Sequence, residues 1–410
     1  MLKIGIIGKT NTGKTTFFNA ATLLSAEIQP YPFTTKAPNM GTTNVSSPCV
    51  CREFNVEDNP RNSFCMSGWR FAPITLIDLP GLIKGAWMGK GLGNQFLSIA
   101  AQSDALIHLV DVSGGIDAEG NLVEPGFGDP LADYFDVEEE LVMWYMKMLL
   151  NNRKEIERGV ESRGSLEKAM QPVVAGIKVS EDHISGALAA SGLSTKDFAE
   201  WDDDDLKQFT YYLRDVSKPT VVVANKMDLP KAEENFVRLG KEIEDIIVVP
   251  ASADAELALR RAEDKGLISY IPGSEEFKVL KTGQLTEKQR WALEYMERFV
   301  FSKIMRTGVQ FSLNTLVFKI LGYKMIFAVE DPSRLSDRAG RVLPDVFLMG
   351  PDSTMDDLAG EIHTELRRNL IHGVDVRTEL KLPRSYSLRD RDVLTLVTAA
   401  RPKKRKRERD

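Results

Sequence analysis

The first residues whose types and spacing suggest chemistry are Gly8-Lys9-Thr10-Asn11-Thr12-Gly13-Lys14-Thr15, which have the pattern G-x-x-x-x-G-K-T. Glycines let backbone N–H groups close around phosphate oxygens, and the dipole of a following helix adds positive potential. Lys14 would place a charge near the β- and γ-phosphates, and the Thr15 hydroxyl would bind Mg²⁺. The stretch therefore predicts a phosphate-binding loop that reaches Thr16. The alternative is a glycine turn with an incidental Lys-Thr pair.

Two further stretches supply candidates for Mg²⁺ and for the γ-phosphate. Asp78 begins a D-x-x-G pattern, and it would hold Mg²⁺ through water, while the backbone N–H of Gly81 would contact the γ-phosphate. The proline-rich stretch 29–39 predicts a loop, in which Thr35 is the first choice and Thr34 the second choice for another Mg²⁺ ligand. The glycine-rich run 81–93 is typical of a mobile switch segment.

A third pattern, N-K-x-D at Asn225, Lys226 and Asp228, predicts recognition of guanine. The Asp228 carboxylate can accept hydrogen bonds from N1–H and N2–H₂ of guanine, and adenine would leave it unpaired. Lys226 and Asn225 would pack on the base and connect it to the phosphate loop. In the later stretch Ala251-Ser252-Ala253, a backbone N–H would meet guanine O6.

The elements that must position these residues are short apolar strands. The runs 2–7, 74–78, 106–112, 220–224 and 246–250 are rich in Ile, Val and Leu, as buried parallel strands are. Each motif stands at the end of such a run, and residues 16–24 can form an amphipathic helix after the loop. Four motifs in this order favour a nucleotide site over incidental matches.

The rest of the chain predicts further helices and a small second sheet. Apolar residues recur at helical spacing within 130–215, which indicates a helical insertion whose aromatic residues form its core. Residues 266–283 read as a linker, and Thr286 begins a capping box for a helix to about residue 305. Strand patterns at 326–329, 346–349 and 393–397, with a helix from Thr354, suggest a β-grasp module.

The charge of the 410-residue chain is uneven. Residues 401–410 hold seven Lys or Arg and two Asp or Glu, a net charge of +5, whereas the rest has 46 basic and 57 acidic residues, a net charge of −11. A basic tail on an acidic body suggests an anionic partner such as RNA, and the alternative is a solvated end without a specific role.

Cys49, Cys51 and Cys65 lie in a polar, irregular stretch. They could be three ligands of a zinc knuckle, with Asp58 or Glu57 as the fourth, but ordinary reduced cysteines are favoured. Three cysteines form no disulfide framework and indicate a reducing compartment. No apolar run has the length of a membrane span, and cleaving the N-terminus as a signal peptide would remove the first strand. We therefore expect a cytoplasmic protein without a membrane partner.

These motifs make the chain resemble the Obg-type GTPases, especially archaeal members of the YchF-related branch. The resemblance rests on the residues 31–35 (YPFTT), 78–86 (DLPGLIKGA) and 91–97 (GLGNQFL). Residues 357–364 and Asp392-Val393 are similar to a TGS domain, and the resemblance covers nearly the whole chain. It implies an α/β fold: a Ras-like P-loop NTPase domain with a parallel sheet and a helical insertion, followed by a C-terminal β-grasp (TGS, ubiquitin-like) domain.

The domains expected are an Obg-type G domain at 1–129 and 216–283, the helical insertion at 130–215, and a helical connector at 284–322. A TGS domain at 323–400 and the basic tail at 401–410 complete the chain. The family associates with ribosomes, so the resemblance implies GTP and GDP as ligands and the ribosome or RNA as a partner. A monomer is favoured.

The resemblance also bears on catalysis. Leu82 stands where Ras-like enzymes carry the water-orienting Gln, so hydrolysis is expected to be slow, with Lys14, Gly81 and Asn11 as the catalytic candidates. Asn11 matches the residue that coordinates K⁺ in potassium-stimulated relatives, so K⁺ joins Mg²⁺ as a candidate cofactor. Archaeal relatives often have a fourth cysteine near Cys49–Cys65, which this chain lacks.

Two alternative functions stay open. YchF itself has lost the N-K-x-D pattern and prefers ATP, and an ATP-hydrolysing regulator is the first alternative, against which the intact pattern argues. The second alternative is a scaffold that binds nucleotide without hydrolysing it and holds RNA through the tail and the TGS domain.

Overall fold

The computed structural model describes residues 1–24, 38–82, 84–89 and 93–399, and it has an α/β architecture. The fourteen strands in these residues are β1 (Lys3–Ile7), β2 (Asn39–Pro48), β3 (Phe64–Met66), β4 (Trp69–Asp78), β5 (Ala105–Asp111), β6 (Thr220–Asn225), β7 (Val248–Pro250), β8 (Ile268–Tyr270), β9 (Phe277–Val279), β10 (Lys324–Ala328), β11 (Asp345–Met349), β12 (Leu370–Asp375), β13 (Lys381–Leu382) and β14 (Val393–Thr398). The fourteen α-helices there are α1 (Lys14–Thr22), α2 (Gly93–Gln102), α3 (Pro130–Asn151), α4 (Arg153–Arg163), α5 (Leu166–Val174), α6 (Glu181–Ser191), α7 (Asp203–Ser217), α8 (Ala232–Glu242), α9 (Ala253–Asp264), α10 (Glu287–Met296), α11 (Ser302–Ile304), α12 (Val309–Asn314), α13 (Met355–Ile362) and α14 (Thr364–Asn369).

The chain divides into two compact units. The first unit comprises residues 1–44 and 74–316, and the second comprises residues 45–73 and 317–410. The predicted domain boundaries follow the order of elements along the chain, whereas this division groups residues 45–73 with the C-terminal part. Those boundaries stay a prediction.

The first unit is built on a parallel sheet with the strand order β4-β1-β5-β6-β7. Residues such as Ile4, Leu106 and Val222 are fully buried, which explains why these strands read as continuous apolar runs. Helices α2 and α3 pack on the sheet around Ile7 and Ile77. Because the strands are parallel, their carboxyl ends meet at one edge, where ligands bind in such sheets.

Between β5 and β6, helices α3 to α7 form the predicted helical stretch and have an apolar cluster of their own. Tyr145, Leu149, Phe209 and Leu213 are completely buried in it. The aromatic residues of this stretch thus belong to a packed core. None of the helices in the described ranges combines the length and the apolar character needed to cross a bilayer.

The second unit contains a five-stranded sheet with the order β11-β10-β14-β12-β13. Its central strands β10 and β14 are parallel, with Phe327 opposite Val393, and the other neighbours are antiparallel. Helix α13 begins at the Thr354 capping box and buries Leu358 against this sheet. This is the topology of a β-grasp fold. Strands β12 and β13 were not predicted, since their polar residues and Gly373 weaken the alternation that marks a strand.

Candidate functional site

The predicted phosphate loop connects the end of β1 to the start of α1 at the sheet edge described above. Gly8 has φ 145°, and a Cβ there would lie 2.3 Å from the carbonyl oxygen of Leu109. Gly13 has φ 97°, and its Cβ would lie 2.4 Å from Nδ2 of Asn225. Only glycine fits either position without a shift of its neighbours, so the loop can pack closely against the end of β5 and against Asn225.

The side chains of Lys14, Thr15 and Asp78 meet beside this loop. The Thr15 hydroxyl donates to Oδ2 of Asp78 at 2.8 Å, and Nζ of Lys14 donates to the carbonyl of Lys9 at 2.6 Å. Burial lowers the pKa of Lys14 to about 8, although the negative charge of Asp78 opposes the shift. Burial likewise raises the pKa of Asp78, and Lys14, Thr15 and Asn39 oppose that shift.

This group fits the Mg²⁺ that the fold implies. Asp78 is 1% exposed, and its Oδ1 has no hydrogen-bond partner among the described residues. A buried carboxylate oxygen without a partner is costly unless a cation or water meets it, and carboxylate and hydroxyl oxygens suit Mg²⁺. Thr34 and Thr35, the other predicted ligands, lie outside the described residues.

The N-K-x-D residues follow β6 and are tied to the phosphate loop. Nδ2 of Asn225 donates to the carbonyl of Thr12 at 2.9 Å. Nζ of Lys226 donates to the carbonyl of Asn11 at 2.9 Å and pairs with Asp111 at 2.6 Å. These bonds join the two motifs, while the packing of Asn225 and Lys226 on a base stays a prediction.

Ser252 and Ala253 lie at the start of α9, next to Asn225. The Ala253 N–H donates to Oδ1 of Asn225 at 3.0 Å, and the Ser252 N–H donates to the carbonyl of Thr307 at 2.8 Å. Both N–H groups therefore have protein partners, so the contact of either group with guanine O6 stays a prediction. The observed bonds fix α9 against the end of β6.

Gly81 and Leu82 pass directly over the phosphate loop. A Cβ on Gly81 would lie 2.5 Å from Oγ1 of Thr10 and 2.8 Å from its backbone nitrogen, so this position requires glycine. The Leu82 N–H donates to the carbonyl of Gly8 at 3.2 Å, and its side chain is 4% exposed. Leu82 is thus a buried apolar residue where a water-orienting side chain would stand.

Other loop side chains contact the segment that follows β5. Nδ2 of Asn11 donates to the carbonyl of Gly120 at 2.9 Å, and Nζ of Lys9 pairs with Asp133 at 2.6 Å. Both Lys9 and Asp133 are buried. Burial raises the pKa of Asp133 to about 6, and the charge of Lys9 opposes the shift. Thr12 donates to the Lys9 carbonyl at 3.1 Å, and Thr16 is half-buried in the first turn of α1.

Helix α3 contacts the glycine-rich segment after Gly81. The buried carboxylate of Glu140 accepts from the N–H of Gly85 at 2.5 Å and from the N–H of Trp87 at 2.9 Å. Nζ of Lys147 donates to the carbonyl of Trp87 at 3.1 Å. The described part of the predicted switch segment is therefore held by α3, a contact that the sequence did not reveal.

Three more site residues were missed by the sequence analysis. Asn39 donates to Oδ2 of Asp78 at 3.3 Å, and Asp111 is fully buried beneath Lys226. The hydroxyl of Tyr295, on α10, donates to the carbonyl of Asp228 at 3.2 Å and lies 3.4 Å from its Oδ2. Asp111 is the last residue of an apolar strand, as Asp78 is, and this position in the sequence could have indicated that it belongs to the site. Tyr295 is 67 residues from its partner and carried no local signal.

Comparison with known proteins agrees with this geometry. Residues 223–331 match the family described as Obg-like GTPase YGR210-like, G4 motif-containing domain, and residues 3–128 match the family described as 50S ribosome-binding GTPase. The GTP-binding protein MJ1332 of Methanocaldococcus jannaschii is 40% identical over 401 residues, which cover 98% of this chain and 100% of that protein.

Two solved structures are similar over almost the whole chain. The crystal structure of a GTP-binding protein from Pyrococcus horikoshii OT3 has a TM-score of 0.76 and 31% identity, and the match covers 97% of this chain and 100% of that one. The YchF GTPase of Schizosaccharomyces pombe has a TM-score of 0.54 and 20% identity, with 97% of each chain covered, and it shares the fold.

The fold and the site together define a GTP-binding protein of the P-loop class. Within that class, the chain belongs to the Obg-like, YchF-type family of GTPases. The resemblance inferred from the sequence motifs is thereby confirmed. The assignment of residues 323–400 to a TGS domain stays a prediction.

Proposed function

We propose that this protein hydrolyses GTP slowly, with Mg²⁺, and acts as a nucleotide-controlled switch on the ribosome. The observation that carries the proposal is the contact between Thr15 and the buried carboxylate of Asp78, with Lys14 alongside. Hydroxyl, carboxylate and ammonium groups in this arrangement suit a triphosphate with its metal ion.

In this proposal, each group has a separate role. Lys14 and the backbone N–H groups of the loop stabilise negative charge on the transferring phosphoryl group, and the Gly81 N–H contacts its oxygen. Thr15 and Thr35 would hold the Mg²⁺, with Asp78 acting through water, and the bound ion would neutralise charge on the β- and γ-phosphate oxygens. Asp228 accepts the guanine hydrogen bonds.

Slow turnover is proposed because of Leu82. A buried leucine cannot donate to, or accept from, the attacking water, so the water lacks the orienting contact that Gln gives in Ras-like enzymes. The side chain of Asn11 lies at the loop, and we propose that it helps to hold a K⁺ ion, whose charge would partly replace an arginine finger.

The contacts of Glu140 and Asp133 support a switch. Phosphate-dependent movement of Gly81 would be passed to Gly85 and Trp87, whose N–H groups bind Glu140 on α3. Asp133 joins the same helix to Lys9 of the phosphate loop. The positions of helices α3 to α7 would thus depend on the bound nucleotide, and a partner that binds these helices would distinguish the two states.

The experiment is phosphate release from GTP and from ATP, in Na⁺ or K⁺, with and without ribosomes. We expect release from GTP alone, faster in K⁺ and with ribosomes. Faster release from ATP would overturn the guanine assignment, and no release from either would favour a nucleotide-bound scaffold. In Asn11→Ser, the ratio of the K⁺ and Na⁺ rates should fall toward one.

A second variant tests the base contact directly. In Asp228→Asn, the new amide can donate to the O2 of xanthine and no longer accepts from both guanine donors, so preference should move from GTP to XTP by about 100-fold or more. If the variant binds neither GTP nor XTP, the substitution has disrupted the nucleotide site as a whole and the predicted exchange of base preference has failed. Equal binding of GTP by the variant and the parent protein would remove Asp228 from the site.

The ribosome is proposed as partner because residues 3–128 match a family described as 50S ribosome-binding GTPase. We propose that the protein acts in the cytoplasm and that its basic tail, residues 401–410, contacts RNA. The tail lies outside the described residues. Deleting residues 402–410 should weaken ribosome binding and flatten its salt dependence, because each phosphate contact contributes about 0.7 to 0.9 to the log–log slope. An unchanged slope would remove the tail from the interface.

A further inference from the structure

Three thiols and one carboxylate converge in the second unit, away from the nucleotide residues in sequence. The Sγ atoms of Cys49, Cys51 and Cys65 and a carboxylate oxygen of Asp58 all lie within 4.8 Å of one another. Cys49 and Cys51 follow β2, Cys65 lies in β3, and Asp58 comes from the irregular segment between them. All three cysteines are free thiols.

The distances fit a single tetrahedral ion. Thiolates bound to zinc at about 2.3 Å stand about 3.8 Å apart, and a thiolate and a carboxylate oxygen stand about 3.5 Å apart. Here the Sγ atoms of Cys51 and Cys65 are 3.9 Å apart, and Sγ of Cys49 is 3.2 Å from Oδ2 of Asp58. An iron–sulfur cluster would need thiolates spread more widely, because its inorganic core stands between them.

The surroundings also suit a cation held by anionic ligands. Arg70 is completely buried, and its Nη2 donates to Oδ2 of Asp58 at 2.9 Å. Arg70 also donates hydrogen bonds to Oγ of Ser63 and to the carbonyl of Leu343, and both of these acceptors are neutral. Arg70 thus orients the carboxylate, as residues behind metal ligands do, and offsets part of the negative charge of the ligand set.

We propose that Cys49, Cys51, Cys65 and Asp58 bind one structural Zn²⁺ ion. Each thiol releases its proton to solvent as its sulfur binds the metal, and no oxidation takes place. All four tetrahedral positions belong to protein side chains, so the site is closed and structural. The ion joins the end of β2 to β3 across a segment of turns. The sequence analysis named Asp58 or Glu57 as a possible fourth ligand but favoured reduced cysteines, because three cysteines without a fourth cysteine or a nearby histidine are weak evidence for a metal site.

The first test uses the full chain. Purified without chelators, it should contain about one zinc ion per chain; after reduction and metal removal, it should bind one Co²⁺ ion. The Co²⁺ form should show the visible bands of tetrahedral cobalt and the near-ultraviolet bands of thiolate ligation. The proposal fails if the reduced chain carries no zinc and binds no Co²⁺, or if it shows an iron–sulfur spectrum.

Variants then test the fourth ligand. Asp58→Asn should weaken Co²⁺ binding at least tenfold, whereas Glu57→Gln, which changes the exposed carboxylate next to it, should leave binding unchanged. Asp58→Cys should bind Co²⁺ with about one third more thiolate charge-transfer intensity, since a fourth thiolate joins the set. An effect of Glu57→Gln with none of Asp58→Asn would overturn the assignment of Asp58. Because GTP binding reports only on the first unit, far-ultraviolet circular dichroism and the unfolding transition of the second unit check that each variant has folded.

Discussion

At the scale of single residues, the charge of Lys14 depends strongly on its surroundings. Its side chain is buried, its ammonium donates to the Lys9 carbonyl, and its pKa is lowered to about 8. A nearby phosphate favours the charged form and raises this pKa again. Binding of a phosphate group and protonation of Lys14 are therefore linked.

We predict that affinity for GDP falls as the pH rises above about 8. Above that pH the free protein has lost the Lys14 proton, which phosphate binding must restore, so affinity drops by up to about tenfold per pH unit. Titration calorimetry between about pH 7 and pH 9 measures this. Guanosine, which has the base and no phosphate, is the control. Parallel curves for GDP and guanosine would contradict the prediction.

Tyr295 carries the second prediction at this scale. Its hydroxyl contacts both the backbone carbonyl and the carboxylate of Asp228, and the pKa of Tyr295 is raised by burial and by that carboxylate. Tyr295→Phe keeps the ring stacked on Trp291 but removes the hydroxyl, so affinity for GTP should fall by roughly three- to tenfold. Equilibrium binding of a fluorescent GTP analogue measures this. The control is Tyr211→Phe, on exposed surface of α7, and equal losses in both variants would refute a specific role.

At the scale of elements, helix α3 links four parts of the first unit. Asp133 pairs with Lys9 of the phosphate loop, Glu138 bonds His108 of β5 at 2.9 Å and Arg214 of α7, and Glu140 holds the segment after Gly81. Burial lowers the pKa of His108 although Glu138 opposes the shift, which marks it as a core residue of this network.

We predict that Glu140→Gln loosens the segment 85–89. The variant keeps one acceptor oxygen where two N–H groups now bind separate oxygens, so one buried N–H loses its partner at a cost of about 1–3 kcal/mol. Hydrogen exchange at the amides of Gly85 and Trp87 should speed up. The adjacent Glu139→Gln changes an exposed carboxylate paired with Lys207 and should have no effect. Equal exchange in both variants would contradict the role of Glu140.

The same elements show what the sequence could predict. The loop, Asp78 and Asn225–Asp228 were predictable because each motif is local and stands at the end of an apolar strand. The β-grasp topology was predictable in outline from three strands and a capped helix. Asn39, Glu140 and Tyr295 were not, since their roles arise from contacts between residues 39 to 67 positions apart that no local pattern encodes. The grouping of residues 45–73 with the C-terminal part is likewise set by long-range contacts.

At the scale of the whole molecule, each of the two compact units has a core of its own. We predict that calorimetry resolves two unfolding transitions with different ligands. GDP with Mg²⁺ should raise the midpoint temperature of one transition, and Zn²⁺ should raise that of the other. At a ligand concentration 100 times its Kd, each ligand adds about 2.7 kcal/mol to the free energy of unfolding of its unit.

Matched variants assign the two transitions. Lys14→Met should abolish only the shift caused by GDP, and Cys65→Ser should abolish only the shift caused by Zn²⁺. A single transition that both ligands raise together would contradict the prediction, because it would mean that the units unfold as one.

The contacts of Asp133, Glu138 and Glu140 also fix the angular positions of these three residues around the axis of α3. Successive residues turn by about 100° around a helix axis, so inserting one residue between Asp133 and Glu138 would rotate everything after it by that angle. Asp133 would keep its place at Lys9, while Glu138 and Glu140 would swing away from His108 and Gly85. Residues on the outer side of this stretch can therefore be substituted, but residues cannot be inserted or deleted between the three carboxylates without breaking their contacts.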